Sequence, residues 1–207
     1  MRNKQLHGLY VITDPQLCED NLLEKVAQAL IGGAQIVQYR NKLASAQQRL
    51  DEAMALNQLC QKHQRLFIVN DDVALAQQVD ADGVHIGQRD TSLQQAREVL
   101  GSEKIIGVSC NNQLQWAIEA QQAGADYIAF GRFFNSQTKP QAPQAEIDLL
   151  KQAKAQLDIP VVAIGGITPD TASTLLKAGA DMLAVINAVF AQSDITEAAR
   201  QFQQQFS

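Results

Sequence analysis

The sequence AGADYIAF, residues 123–130, contains the pattern on which the fold prediction rests. Its first half is a glycine corner of the kind that ends a helix, and its second half is an apolar run typical of a buried strand. A near copy, AGADMLAVI, occupies residues 178–186, and residues 32–35 (GGAQ) and 80–83 (DADG) are weaker copies of the corner. Four similar helix-to-strand junctions indicate a repeated strand–helix unit.

Eight short apolar segments are predicted strands, and each is followed by a segment with the apolar spacing of a helix. The strands are predicted at residues 9–13, 36–39, 66–69, 84–86, 105–108, 127–130, 161–164 and 182–186. We therefore predict an α/β fold, a single-domain (β/α)8 TIM barrel over residues 1–207. An open doubly wound sheet is the alternative, although neither of the usual phosphate-binding glycine motifs, GxGxxG and GxxxxGK[ST], occurs.

Composition narrows the functional classes. Seventeen basic and 22 acidic side chains give a net charge of −5, and no basic run or aromatic–basic stripe suggests a nucleic-acid interface. The N-terminal segment lacks the apolar core of a signal peptide, and no apolar run approaches about 18 residues, so we expect a cytoplasmic protein that does not enter membranes. Cys18, Cys60 and Cys110 lack CxxC spacing, which disfavours disulfide or zinc sites. A homo-oligomer is compatible with these features.

Polar residues follow the predicted strands at their carboxyl ends, the rim that carries the chemistry of such barrels. Gln38, Arg40 and Lys42 alternate after the second strand, so their side chains are expected to point to the same side. Two cations and an amide suit a phosphate or diphosphate. The alternative is a pair of solvated rim charges.

Asp71 and Asp90 follow neighbouring predicted strands, the third and the fourth. Two carboxylates on adjacent loops can hold one Mg²⁺, which prefers oxygen ligands and keeps waters or substrate phosphates in its coordination shell. Asp71 could instead cap the next helix, although Asp72 is better placed for that role. The cations one strand away favour a metal–diphosphate site.

Further phosphate contacts are expected on the opposite side of the barrel mouth. Residues 131–140 form a loop longer than a simple turn, whose polar groups could cover an anionic ligand. Gly165 and Gly166 allow a close backbone approach, and Ile186 and Asn187 precede the last helices, which is the standard phosphate position of this architecture. A mobile surface loop is the alternative for residues 131–140.

Two aromatic residues are interpreted structurally. His85 lies within the fourth predicted strand and is expected to be hydrogen-bonded inside the barrel, while Trp116 is expected in the core. No Ser/His/Asp or Cys/His arrangement is evident, so no side-chain nucleophile is predicted.

Seven blocks of the chain, in order, resemble the thiamine phosphate synthase family. They are LYVITD (9–14), VQYRNK (37–42), FIVNDD (67–72), GVHIGQRD (83–90), GVS (107–109), TKP (138–140) and AIGGIT (163–168). The resemblance implies a (β/α)8 barrel that joins 4-amino-2-methyl-5-(diphosphooxymethyl)pyrimidine to 4-methyl-5-(2-phosphooxyethyl)thiazole with Mg²⁺ and releases pyrophosphate.

The resemblance also implies a role for each matched residue. The pyrimidine diphosphate would be bound by Gln38, Tyr39, Arg40, Asn41, Lys42, Asn70, Ser109 and Lys139, of which Arg40, Lys42 and Lys139 would be catalytic. The thiazole phosphate would be bound by Ser136, Gln137, Thr138, Gly166, Ile186 and Asn187. The Mg²⁺ ligands would be Asp71 and Asp90.

This chain departs from the family pattern at three points. Asn41 replaces an acidic residue, Asn187 replaces a serine, and residues 133–136 read FFNS where many members have proline before the hydroxyl. Asn41 should alternate away from the diphosphate, and Asn187 can still donate to a phosphate. Two other functions are alternatives: a thiazole tautomerase on the same barrel, and a non-catalytic protein that binds thiamine precursors. Asp71, Asp90 and Lys139 favour the synthase, because a tautomerase has no diphosphate to ionise.

Overall fold

Eight parallel strands pair in sequence order, and the last pairs with the first to close a barrel. The computed structural model describes residues 6–19, 21–135, 141 and 143–206. The strands are β1 (Gly8–Ile12), β2 (Ile36–Tyr39), β3 (Leu66–Asn70), β4 (Gly83–Ile86), β5 (Ile105–Asn111), β6 (Tyr127–Phe130), β7 (Val161–Ile164) and β8 (Met182–Val185). The predicted fold class, an α/β TIM barrel, is confirmed.

Helices follow every strand and cover the outside of the barrel. They are α1 (Pro15–Cys18), α2 (Leu22–Ile31), α3 (Ala46–Lys62), α4 (Val73–Gln78), α5 (Leu93–Leu100), α6 (Leu114–Gln122), α7 (Asp148–Gln156), α8 (Pro169–Lys177), α9 (Asn187–Phe190) and α10 (Ile195–Gln203). Across the described ranges, none of these helices has the length and apolarity needed to cross a membrane.

Side-chain alternation along the strands separates two apolar layers. On β1, Leu9 and Val11 belong to the layer between strands and helices, whereas Tyr10 and Ile12 belong to the smaller cluster inside the barrel. This alternation decides which residues after each strand can reach the interior.

The four glycine-corner copies contain a residue in the left-handed region, as their sequence predicts. The φ angle is 112° at Gly33, 89° at Gly124, 113° at Gly179 and 53° at Asp80. In the fourth copy the left-handed residue is Asp80 and not the glycine, Gly83, and aspartate is among the residues that tolerate this conformation.

Aspartates in three of these corners join successive strands at their amino-terminal ends. The Asp126 backbone N–H donates to the Ile106 carbonyl (2.9 Å), and its carboxylate accepts the Ile106 N–H (2.8 Å). Asp82 makes the same pair of bonds with Phe67, and Asp181 makes them with Val161. The repeated corner is therefore a clamp between neighbouring strands.

The prediction that Trp116 belongs to the core is wrong. The helix α6 buries Ala117 and Ala120, and the Trp116 side chain remains 38% exposed. Small residues on the inner face let the helix lie close to the strands, which leaves the indole at the helix edge. The prediction that Asp72 is better placed than Asp71 to cap the next helix is confirmed, because the Asp72 side chain accepts the Leu75 N–H at the start of α4.

Candidate active site

A cavity of about 570 Å³ opens at the carboxyl ends of the strands. Residues at or just after every strand line it, from Ile12 after β1 to Ile186 after β8. The polar residues that the sequence placed on this rim therefore converge on one space.

The end of β2 turns alternate side chains into and away from this cavity. Gln38, Arg40 and Lys42 line it, as predicted. Gln38 is only 3% exposed and donates to the Tyr10 hydroxyl through Nε2 (2.7 Å).

Tyr39 and Asn41, which the family resemblance includes in the substrate-binding set, have side chains outside this cavity, so their binding role stays a prediction. The Tyr39 hydroxyl donates to Glu52 Oε2 (2.6 Å), and Asn41 Nδ2 donates to the same oxygen (3.1 Å). Both line a separate cavity of about 410 Å³ between the β1 and β2 ends and α3. A period of two makes this placement unavoidable once Gln38 and Arg40 face inward.

Asp71 and Asp90 meet at the mouth of the cavity and share Lys42. Lys42 Nζ lies 2.7 Å from Asp71 Oδ2, and Asp71 and Asp90 are within hydrogen-bonding contact of each other. Asp71 has a φ of 62°, and its N–H donates to the His85 carbonyl (2.8 Å). Asp90 Oδ2 accepts the Gly87 N–H (2.8 Å).

The two carboxyl groups have pKa values shifted in opposite directions. Burial raises the pKa of Asp71, but hydrogen bonds from Lys42, Asp90 and Asn70 outweigh it, and the net pKa is lowered. Burial raises the pKa of Asp90, and the neighbouring Asp71 raises it further. Like charges at this separation resist joint ionisation, so the pair suits a divalent cation.

Asn70 and Ser109 line the same side of the cavity, as the family resemblance implied. Ser109 Oγ lies 2.9 Å from His85 Nε2. His85 Nδ1 lies 3.0 Å from the Tyr127 hydroxyl, so His85 is hydrogen-bonded inside the barrel, as predicted.

Gly166, Ile186 and Asn187 line the cavity opposite the acid pair, again as expected. Gly165 and Gly166 have φ angles of 104° and 65°. A Cβ on Gly166 would lie 2.2 Å from the Asn135 carbonyl oxygen, and the Phe134 N–H donates to the Gly165 carbonyl (3.0 Å). The glycine pair is therefore needed for close packing of the segment after β6.

Ser136, Gln137, Thr138 and Lys139 lie outside the described residues, so the part of the predicted site that rests on them stays a prediction.

Among the cavity residues that were not singled out as site residues from the sequence are Tyr10, Tyr127 and Arg132. Alternation within β1 placed Tyr10 on the same face as Ile12, so that signal was available. Tyr127 lies at the start of β6, far from the rim in sequence. Arg132 was treated only as part of a loop, although it follows β6 directly and donates to Asn135 Oδ1 (3.2 Å).

A (β/α)8 barrel with two cations and an acid pair facing a glycine-lined wall defines an enzyme site for phosphorylated ligands. No cluster of three or more His, Cys, Asp or Glu side chains suitable for a metal occurs within the described ranges, so an ion here would need ligands beyond the two carboxylates.

Comparison with known proteins identifies the enzyme family. Residues 9–189 match the family model described as thiamine monophosphate synthase, and the chain belongs to that family. Its function is thiamine-phosphate synthesis, a transferase activity.

Individual relatives agree with this assignment. A thiamine-phosphate synthase of Alcanivorax borkumensis is 56% identical over 95% of this chain and 93% of its own length. A thiamine-phosphate synthase of Nitrosococcus oceani is 46% identical over 99% of this chain and 94% of its own length. The solved thiamine phosphate pyrophosphorylase from Pyrococcus furiosus superposes with a TM-score of 0.89 at 37% identity, covering 98% of this chain and 96% of that one.

Proposed function

We propose that this chain condenses 4-amino-2-methyl-5-(diphosphooxymethyl)pyrimidine with 4-methyl-5-(2-phosphooxyethyl)thiazole in the cytoplasm, releasing pyrophosphate. One observation carries the proposal: Lys42 contacts Asp71 beside Asp90, and Arg40 lines the same cavity. This group of charges suits a diphosphate that is leaving as an anion together with a divalent metal.

The pyrimidine diphosphate is assigned to the β2–β5 side of the cavity. Arg40 and Lys42 bind the diphosphate, and Asn70 donates to it. Gln38 and Ser109 lie deeper and face the pyrimidine ring. Lys139 is assigned to the same diphosphate from the sequence resemblance alone.

The acid pair fits Mg²⁺ by the chemistry of its donors. Both side chains offer carboxylate oxygens. Burial and the neighbouring Asp71 raise the pKa of Asp90, and a cation bound between the two carboxylates would favour the charged form of both. Asp71 and Asp90 would supply two ligands, leaving positions for waters and diphosphate oxygens. Bound there, Mg²⁺ would neutralise the charge that develops on the departing diphosphate.

The thiazole phosphate is assigned to the opposite wall. Gly166 and Asn187 offer backbone and amide donors, and Ile186 presents an apolar surface to the thiazole ring. Ser136, Gln137 and Thr138 complete this subsite in the proposal, on the sequence resemblance.

The proposed reaction is dissociative and needs no protein nucleophile. The aminopyrimidine ring donates electrons to its methylene carbon, the bond to diphosphate breaks, and the thiazole nitrogen captures the resulting cation. Arg40, Lys42 and Lys139 stabilise the leaving anion. Apolar residues of the cavity, including Val162, Ile164 and Ile186, exclude water that would otherwise capture the cation.

Purified protein incubated with both phosphorylated substrates and Mg²⁺ tests the proposal. Thiamine phosphate and pyrophosphate should appear in equal amounts. Rearrangement of a thiazole isomer without coupling would identify a tautomerase, and binding of the precursors without turnover would identify a binding protein. Either result, from folded protein at micromolar concentration, would contradict the proposed function.

A further inference from the structure

A continuous hydrogen-bond chain crosses the floor of the cavity. It runs from Gln38 to Ser109 through Tyr10, Tyr127 and His85. Gln38 Nε2 donates to the Tyr10 hydroxyl (2.7 Å), and the Tyr10 and Tyr127 hydroxyls are 2.8 Å apart. Tyr127 then contacts His85 Nδ1 (3.0 Å), and His85 Nε2 contacts Ser109 Oγ (2.9 Å). The two ends are the residues assigned above to the pyrimidine ring.

The residues at the centre of this hydrogen-bond chain are buried among apolar side chains, so each polar hydrogen there needs an acceptor. Tyr10 is 1% exposed and Tyr127 is fully buried, and both lie in the apolar cluster inside the barrel. A buried hydroxyl without a partner is costly there. Burial raises the pKa of both phenols, so each keeps one hydrogen to donate.

Because each hydroxyl has only one hydrogen to donate, all the hydrogen bonds of this hydrogen-bond chain run in one direction, from Gln38 to Ser109. Tyr10 accepts from Gln38, so its own hydrogen goes to Tyr127. Tyr127 then donates to His85 Nδ1, which leaves the imidazole hydrogen on Nε2. His85 in turn donates to Ser109 Oγ.

The direction determines what each end presents to a ligand. Gln38 uses its amide nitrogen on Tyr10, and its Oε1 has no hydrogen-bond partner within the described part of the chain. It therefore offers an acceptor to the cavity. Ser109 accepts from His85 and so keeps its own hydroxyl hydrogen for the ligand.

We propose that Tyr10, Tyr127 and His85 are positioning residues that couple the two ends, so that Gln38 accepts only while Ser109 donates. The geometry of β5 is consistent with a dedicated arrangement. A Cβ on Gly107 would lie 2.0 Å from the Tyr127 ring, and the His85 ring stacks on Tyr127 with centroids 5.5 Å apart. Only glycine at 107 leaves room for the central phenol.

The inference rests on the proposed function and adds a source of specificity to it. A 4-aminopyrimidine offers an amine donor to Gln38 Oε1 and a ring-nitrogen acceptor to Ser109. A 4-oxopyrimidine in its lactam form offers an acceptor where the amine was and a ring N–H donor where the acceptor nitrogen was. It would fit only if every hydrogen bond from Gln38 to Ser109 reversed, so the preference for the amino form measures the cost of that reversal.

Binding of two non-reacting ligands tests the coupling. The probes are the 4-amino and 4-oxo forms of 2-methyl-5-(phosphooxymethyl)pyrimidine, which keep the ring and lack the diphosphate leaving group. Calorimetry on the unmodified protein should show about 10- to 100-fold tighter binding of the amino form. Tyr127→Phe separates the ends, and the preference should fall below about threefold.

Tyr10→Phe is the second variant. It removes the hydroxyl that bonds Gln38, and the preference for the amino form should fall by the same amount. Thr196→Val is the control, because it removes a part-buried hydroxyl that donates to the Gln28 carbonyl (3.2 Å) outside this cavity. The control should retain the preference for the amino form. Retained preference in both chain variants, or an equal loss in the control, would overturn the inference.

The tautomer of His85 provides a measurement on the unmodified protein. With ¹⁵N-labelled histidine, the His85 signal, assigned by its loss in His85→Asn, should show Nε2 protonated and Nδ1 unprotonated. A proton on Nδ1 would show that the chain runs the other way. If instead the unmodified protein forms no thiamine phosphate but shows both results, the proposed reaction fails while the coupled chain stands.

Discussion

Aspartates occur at both rims of the barrel, and they have different partners. At the amino-terminal rim, Asp126 accepts the Ile106 N–H and pairs with Arg97 at 2.7 Å, and Asp181 accepts the Val161 N–H and pairs with Lys154 at 2.9 Å. At the carboxyl-terminal rim, Asp71 and Asp90 face each other and share Lys42.

The difference shows how one residue type serves structure at one rim and chemistry at the other. Asp126 and Asp181 each have a backbone donor and a cation of their own, so their charge is already compensated. Asp71 and Asp90 have one lysine between them and are left with excess negative charge. We infer that Asp126 and Asp181 hold neighbouring strands together, whereas Asp71 and Asp90 serve to bind a cation next to a ligand.

The largest expected effect comes from Asp71→Asn. Asparagine tolerates the positive φ at this position, so the fold should persist while a metal ligand is lost. We expect kcat/KM to fall by about 10³, with little change in the thermal unfolding midpoint. Near-normal Mg²⁺-dependent turnover would contradict the assignment.

Asp126→Asn is the matched control at the other rim. It removes one carboxylate charge from a clamp between strands, so its effect should be on stability. The kcat/KM of the folded fraction should stay close to that of the unmodified protein. Loss of catalysis in this variant would remove the distinction between the rims.

Lys139→Ala tests a site residue that is predicted in the sequence after β6. Loss of a cation that stabilises the leaving diphosphate should lower kcat by about 10²–10³. Steady-state kinetics at saturating substrate would measure it. A change smaller than about twofold would show that Lys139 does not act on the leaving group.

Asp126→Ala should destabilise the fold at the amino-terminal rim. It leaves the Ile106 N–H and the Arg97 guanidinium without their carboxylate, and we expect a loss of about 2–4 kcal/mol in the free energy of unfolding. Denaturant titration would measure it. Lys151→Ala, which removes an exposed ion pair with Asp148, should change the same quantity by less than about 0.5 kcal/mol.

The smallest expected effect is a pH dependence at Asp82. Burial raises the pKa of this carboxyl, although the Phe67 N–H and Lys104 partly oppose it. The folded state therefore binds more protons than the unfolded state, and the contribution of Asp82 to stability decreases as pH rises from the unfolded pKa through the raised folded pKa. It is constant above that window.

Asp82→Asn cannot titrate and should gain stability relative to the unmodified protein across that window. Unfolding measured at several pH values, with Asp170→Asn at an exposed position as the control, would show it. A difference that is independent of pH, or one that grows as pH falls, would contradict the direction assigned to Asp82.

Much of the site could be predicted from sequence because parallel strands bring their carboxyl ends to one rim. Placing Gln38, Asp71, Asp90 and Ser109 together required only correct strand ends. The family motif also includes Tyr39 and Asn41, and the two-residue period of β2 turns their side chains toward Glu52. Trp116 was misplaced because helical spacing marks an apolar face without fixing its edge.

The amino-acid sequence by itself determined the repeated unit, because glycine or aspartate at each corner can adopt the left-handed turn that starts the next strand. It also determined which rim carries Arg40, Lys42, Asp71 and Asp90. Tertiary structure alone decided that Tyr10, Tyr127 and His85 meet. They come from β1, β6 and β4, and only closure of the barrel brings their polar atoms within hydrogen-bonding distance.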